Sequence, residues 1–257
     1  MAKQYFNGQG KIYIGARDSN GNALAMKYLG NSPEFKFALE EEILEHKEST
    51  SGLRLTDVRL TTELKASTSM TLEQLDTDNL NLMLFGATNT QATSAVTAEV
   101  LLGSTTPAVG DTYLFASQNV AAVVIKDSTG SPKTLVNGTN YEVNTATGQI
   151  TILDLTTGAP FVGPLKADYT RTGATVQTKL FGSAAIEYWL RFAGVNTAVS
   201  GSPAVMVDLY RVRLSPTAEM GLITDDVAQF ALAGSVLADQ TKTQAGAFGQ
   251  FGRMVML

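Results

Sequence analysis

Over residues 58–73 apolar and polar positions alternate almost without error. Val58, Leu60, Thr62, Leu64, Ala66, Thr68, Met70 and Leu72 lie on one side, and Arg59, Thr61, Glu63, Lys65, Ser67, Ser69, Thr71 and Glu73 on the other. A period of two predicts a single strand with one wet face, roughly 53 Å long at strand rise, where five or six residues is the usual length. Just upstream, Phe35, Phe37, Leu39 and Ile43 alternate with Lys36, Ala38, Glu40 and Glu42, which predicts a partner strand over 34–46. The connecting stretch 47–57 is polar and contains Ser49, Thr50, Ser51 and Gly52. Two long strands and a polar loop make a hairpin that overshoots a compact domain. A lone hairpin is marginal in water, so this one is expected to find neighbours, often in other subunits. Phe35, Phe37, Leu39, Ile43, Val58, Leu60, Leu64, Met70 and Leu72 are expected to form its packed face.

After the hairpin, Asp76 or Thr77 can cap a short helix over 78–85, with Leu80, Met83 and Leu84 as its buried stripe and Gly86 as its stop. Later strands are expected over 184–195, 205–214 and 227–238, and Pro216 begins a short helical or turn segment ending near Leu222. The closing residues TQAGAFGQFGRMVML are expected to order only on assembly, through Phe248 and Phe251. Residues 96–174 differ in composition, with four basic and six acidic side chains among many Thr, Gly and Val. Turn signals at 127–130, Asn137-Gly138 and Thr147-Gly148 sit between alternating or apolar runs there. The fold class that follows is mainly β: a core from 1–95 and 175–257 with a long β-hairpin and one short helix, and an inserted small β domain at 96–174.

Composition narrows the chemistry. The 257 residues include no Cys and a single His, 17% are charged, and the net charge is −5. Thiolate metal sites, disulfides and cysteine nucleophiles are thereby excluded, as is any mechanism that needs two imidazoles. The start MAKQYFNGQGKIY lacks the apolar block of a signal peptide, so export by that route is not expected. The longest apolar run, 120–125, is far shorter than the roughly 18–20 residues of a membrane helix, so no membrane partner is expected. The acidic balance opposes a protein that grips nucleic acid through clustered Lys and Arg.

Each motif with a chemical reading also has a structural one. Asp18-Ser-Asn-Gly-Asn22 opens like a calcium loop, but Ala23 and Leu29 stand where Gly and Glu are needed, and a hairpin turn between 11–16 and 24–29 accounts for it. Asp76-Thr77-Asp78 is explained by helix capping. Glu40 and Glu42 would share one strand face, Glu41 and Glu45 the other, and a solvated or intersubunit face accounts for them better than paired acid-base carboxylates. His46 is taken as a surface histidine, with a proton-sensitive contact between copies as the rival reading. Gly8-Gln9-Gly10 is no phosphate cradle, and Asn137-Gly138-Thr139 is a hairpin turn as well as a sequon. No catalytic residue, metal set or cofactor is expected, and the chain is not read as an enzyme.

The run EFKFALEEEILEHKESTSGLRLTDVRLTTELKASTSMTLEQLDTDNLNLMLFG, 34–86, resembles the major tail tube proteins of long-tailed (siphovirus-like) bacteriophages in its order of strand, polar loop, long alternating strand and Leu-rich helix. DLYRVRLSPTAEMGLITDDVAQFALAGSVLAD, 208–239, is similar to that family's closing strand, short helix and final strand. The resemblance implies a tail-tube fold, with a β-sandwich- or barrel-like core flanked by the helix, and a homo-oligomer of hexameric rings stacked into a tube. Hairpins of adjacent subunits would line the lumen, and DNA would pass through without specific binding. It also implies partners at the tube's ends and interior (tail terminator, tape measure and baseplate or distal tail proteins) and a place in the virion tail, with host cytoplasm during assembly. Six copies at −5 carry about −30 per ring, which discourages DNA adsorption. On this reading Lys36, Glu40, Glu42, Arg59, Glu63, Lys65 and Glu73 are the candidate lumen face. Glu48, Ser49, Thr50, Ser51, Gly52, Leu53, Arg54 and Leu55 are the candidate inter-ring or inter-subunit loop. The insertion is expected to project outward, as a decoration domain, with surface adhesion and ring-to-ring bracing also open. Flexible and contractile tails stay open, and the rival class is a β-sandwich binding or adhesion module on a virion or cell surface.

Overall fold

The computed structural model describes residues 5–101, 106–158, 160–173, 175–184, 186–243, 246 and 249–257. Nearly all of its regular structure is β, with one short helix. In chain order the elements are β1 (Gly8–Ala16), β2 (Lys27–Tyr28), β3 (Glu34–Lys47), β4 (Thr56–Leu72), α1 (Thr77–Leu84), β5 (Ala87–Gln91) and β6 (Ser94–Val100). They continue as β7 (Thr112–Leu114), β8 (Val120–Lys126), β9 (Thr134–Leu135), β10 (Tyr141–Asn144), β11 (Gln149–Ile152) and β12 (Lys166–Arg171). The last are β13 (Thr175–Lys179), β14 (Glu187–Asn196), β15 (Ala204–Leu214), β16 (Phe230–Val236) and β17 (Gly252–Met256). Among the described residues no helix is long and apolar enough to cross a membrane.

The chain divides into two compact units, Met1–Ala87 with Thr178–Leu257, and Thr88–Gln177. The second begins at residue 88 rather than 96. Residues 88–95, expected in the core, belong to the second unit, where Ser94 and Ala95 pair with β12 along with the rest of β6.

The first unit is an 8-stranded sheet in the order β2-β1-β14-β15-β16-β4-β3, with β17 also on β15. Its pairings are antiparallel. One edge of β15 is shared, for Val212, Arg213 and Leu214 pair with β16 while Val205 to Leu209 pair with β17. Alternation sends Ile12, Ile14, Leu190, Leu209, Leu232, Met70 and Leu72 to one core, which Leu82 and Met83 of α1 cover. Burying such side chains contributes about 1.5–3 kcal/mol each.

The Asp76 side chain caps α1 by accepting from Asn79 N, and Phe85 in the left-handed region ends the helix, one residue before the expected Gly86. Asn79, Leu82 and Met83 are its buried positions; the expected Leu80 and Leu84 are only half-buried. The segment after Pro216 is not helical. Thr217 N instead donates to Met83 O at 2.8 Å, tying the segment to the end of α1. At 18–22 the chain turns around Asp18, whose Oδ1 accepts from Asn20 N at 2.9 Å and Asn22 N at 2.7 Å.

In the second unit two sheets, β10-β11-β7 and β6-β12-β8-β9, share one core. Tyr113, Tyr141, Ile150 and Ile152 come from the first sheet, and Val120, Ile125, Leu135, Ala167 and Tyr169 from the second. The turn after β9 needs Gly138 at φ 81°, a conformation that disfavours a side chain. Buried Asn140 anchors that turn by accepting from Val136 N at 2.8 Å.

Candidate functional site

β3 and β4 form an arm. β16 supports β4 only from Leu72 to Ala66, so 56–65 of β4 continue past the sheet with β3 as their sole neighbour among the described residues. Ten residues at strand rise project roughly 33 Å. Among the described residues no further strand pairs with this stretch. Phe37, Leu39, Leu44, Val58, Leu60 and Leu64 are all exposed, and the expected packed face is buried only at Met70 and Leu72, with Phe35 and Ile43 half-buried. The correction has a simple cause: alternation sets which side chains share a face, while burial needs an opposing surface, and the sheet ends too soon to supply one.

Register decides which side chains share a face. Lys36 stands opposite Ser69, Ala38 opposite Ser67, Glu40 opposite Lys65 and Glu42 opposite Glu63. The Lys65 ammonium bridges Glu42 at 3.0 Å and Glu63 at 3.1 Å, and Lys36 pairs with Glu34. The hydrogen bonds and charge of Lys65 lower the Glu42 carboxyl below its ordinary range, and those of Glu42 and Glu63 raise Lys65. Lys36, Glu40, Glu42, Glu63 and Lys65 thus form one exposed polar row with an acidic excess.

The row stops at a β-bulge. Glu42 pairs with Glu63 but Ile43 pairs with Thr61, leaving Thr62 as the extra residue, its hydroxyl donating to Glu42 O at 3.0 Å. An unbroken ladder would set Leu44 against Thr61. Instead Leu44 meets Leu60 and His46 meets Val58 on the face of the polar row, while Arg59 meets Glu45 on the other face. Arg59 is therefore removed from the candidate lumen face. Glu73 leaves it too. It lies past the end of β4, half-buried, where its carboxylate accepts from Asn31 and, at 3.1 Å, from Gln229. A second irregularity at Asp57 brings its carboxylate to 2.7 Å from His46 Nδ1, which lowers the Asp57 carboxyl.

The loop at the tip is organised around Glu48. Its N–H donates to Leu55 O at 2.9 Å, and its carboxylate accepts from Thr50 N at 2.7 Å, Ser51 N at 2.9 Å and both hydroxyls. The Ser51 and Thr50 bonds bring that carboxyl down to about 2. Gly52 at φ 78° and Arg54 at φ 52° make the reversal. Ser49, Thr50, Ser51, Gly52, Leu53, Arg54 and Leu55 are exposed, and Glu48 is half-buried.

On the apolar side of the arm's base, Phe37, Leu39 and Leu64 face Val207, Val236 and Met254 across a groove of about 380 Å³. Phe251 also lines it and packs against the core, and β17 continues from there along β15. Residues 249–257 therefore pack within the single chain, which corrects the expectation that Phe251 waits for a partner. Hydrogen bonds such as Tyr210 N to Phe251 O at 3.1 Å and Leu257 N to Ala204 O at 2.9 Å hold them. Phe248 lies outside the described residues.

Sequence reasoning missed a charged cluster on the opposite face of the same sheet. Asp208 is fully buried between Arg191 and Arg253, and Asp239 between Arg17 at 2.9 Å and Lys242 at 2.8 Å. The Lys242 ammonium also lies 5.1 Å from the Trp189 ring and 4.7 Å from that of Tyr210. The legible signal was Asp208 interrupting an apolar run flanked by Arg-bearing strands. These groups pair with one another, with the buried Arg17 Nε left without a hydrogen-bond partner, and among the described residues no three carboxylate or imidazole groups are gathered to hold a metal.

No curated protein matches the chain. Residues 5–255 match the family described as "Protein of unknown function UCP028589", and the chain, with its exposed arm and polar row, belongs to that family.

Proposed function

We propose that the chain is a structural subunit of a phage tail tube, assembling into stacked hexameric rings that conduct DNA, with no catalytic role. The carrying observation is the arm: strands of 14 and 17 residues whose outer stretches are exposed on both faces, including six large apolar side chains at 37, 39, 44, 58, 60 and 64. Such a surface has a physical reason to exist when copies of the chain cover it. The polar row Lys36, Glu40, Glu42, Glu63 and Lys65 suits a wet channel wall, and its acidic excess keeps DNA mobile. The partners at the tube's ends and interior, the location in the virion tail and assembly in host cytoplasm belong to the same reading.

The two-sheet core of the second unit favours a rival, an adhesion module on a virion or cell surface. That rival leaves the arm without a role. Negative-stain microscopy of the purified chain at rising concentration separates the two. Rings or tubes support the tube reading; dispersed monomers at every concentration, even beside tail initiators, defeat it.

A further inference from the structure

We propose that the tip of the arm docks end to end on the 219–228 loop of a second copy of this chain. The inference rests on the tube reading and names the two surfaces that meet along its axis. β4 runs from the tip at Thr56 to Leu72, and Leu72 pairs with Phe230, the first residue of β16 and two positions past that loop. Tip and loop therefore stand at opposite ends of one strand, roughly 55 Å apart at strand rise for 17 residues, and cannot meet within a chain. A contact between unlike ends leaves one free tip and one free loop after every addition, which is the rule of a growing filament.

Both ends are apolar where a loop is ordinarily polar. Ile223 is 98% exposed, Leu222 83% and Leu53 74%, with Leu55 and Val227 also exposed. Beyond the Thr62 bulge the face of the polar row turns apolar through Leu44, Val58 and Leu60. That part of the arm is unsuited to a wet channel and suited to burial against protein. Charge agrees. The loop carries Glu219, Asp225 and Asp226, with no Lys or Arg between Arg213 and Lys242. At the tip the acids are engaged locally, Glu48 by Thr50 and Ser51 and Asp57 by His46, while Lys47 and Arg54 form no ion pair among the described residues.

The chain has no cysteine, so introduced thiols report alone. A chain carrying both Leu53→Cys and Ile223→Cys is expected, once assembled and oxidised, to give a disulfide ladder of multimers, with each single variant giving none. Arg54→Glu is expected to raise the critical concentration for assembly about tenfold, and Arg54→Glu with Asp226→Arg to restore it. Tubes that form without a ladder, and with assembly indifferent to both charge changes, overturn this contact and leave the tube reading standing. Absence of any assembly by the parent chain overturns both.

Discussion

Asp208 and Arg253 stand opposite each other on β15 and β17, joined at 3.0 Å, and the carboxylate is fully buried. On its other side Arg191 donates from Nε at 2.6 Å and Nη2 at 3.0 Å. Burial pushes this carboxyl up, but the two guanidinium groups outweigh it and hold it low. Asp208→Ala leaves two arginines without their counter-charge and is expected to destabilise the first unit by about 3–5 kcal/mol. Arg253→Ala, at a partly exposed position, is expected to cost less and to loosen β17 selectively. Urea denaturation measures the first; faster amide exchange along 252–256 reports the second.

Acid should act through Asp239. Burial raises its carboxyl, and hydrogen bonds from Lys242 and Thr241 with the charge of Arg17 bring it to about 2, below the ordinary 3.8. A depressed carboxyl stabilises the fold above its unfolded value and loses that contribution as pH falls through the folded value. Stability is therefore expected to fall between about pH 4 and pH 2. Asp239→Asn should start lower and flatten that part of the profile. Urea midpoints across this range are the measurement, and parallel curves for parent and variant would count against the assignment.

The bulge at Thr62 fixes a register that thiol chemistry can check. Cysteines placed at Leu44 and Leu60, directly opposite in the bulged ladder, are expected to join within one chain on mild oxidation. Cysteines at Leu44 and Thr61, opposite only in an unbroken ladder, should stay reduced. The reverse pattern would return Arg59 to the polar row.

Excision of 88–177 is expected to leave the first unit folded. Phe181 N donates to Leu84 O and Ser183 N to Phe85 O, each at 3.0 Å, so the end of α1 and the segment returning after β13 are already bonded. A short Gly/Ser link should close the gap, with the thermal midpoint of the first unit within about 5 °C of the parent's. Failure to fold would show that the second unit is needed for the core.

The arm was legible because a period of two over so many residues has only one backbone solution. Strands expected over 184–195, 205–214 and 227–238 are present as β14, β15 and β16. The bulge was not legible: alternation of type continues smoothly through Thr62, and only the opposite strand reveals the extra residue. That one residue misplaced Arg59. Burial on the arm was misjudged because a sequence gives the face and not the surface opposite. The end segment was misjudged because Gly-rich composition hid five residues that find an open edge on β15, and Asp208 went unnoticed because its two partners lie 17 and 45 positions away.

The outer edge of β3 has one more consequence. A bare strand edge of 14 residues invites indiscriminate pairing between copies in solution. An antiparallel match centred on Glu41 would set that residue against itself and Glu40 against Glu42, and like charges in direct opposition repel. Two free chains thus make a poor seed for each other, and under the proposed tube assembly growth would favour a template whose edge chemistry differs from β3. Under that proposal the chain would stay unpaired until a template was present, with the place and moment of growth set by whatever supplies the first edge.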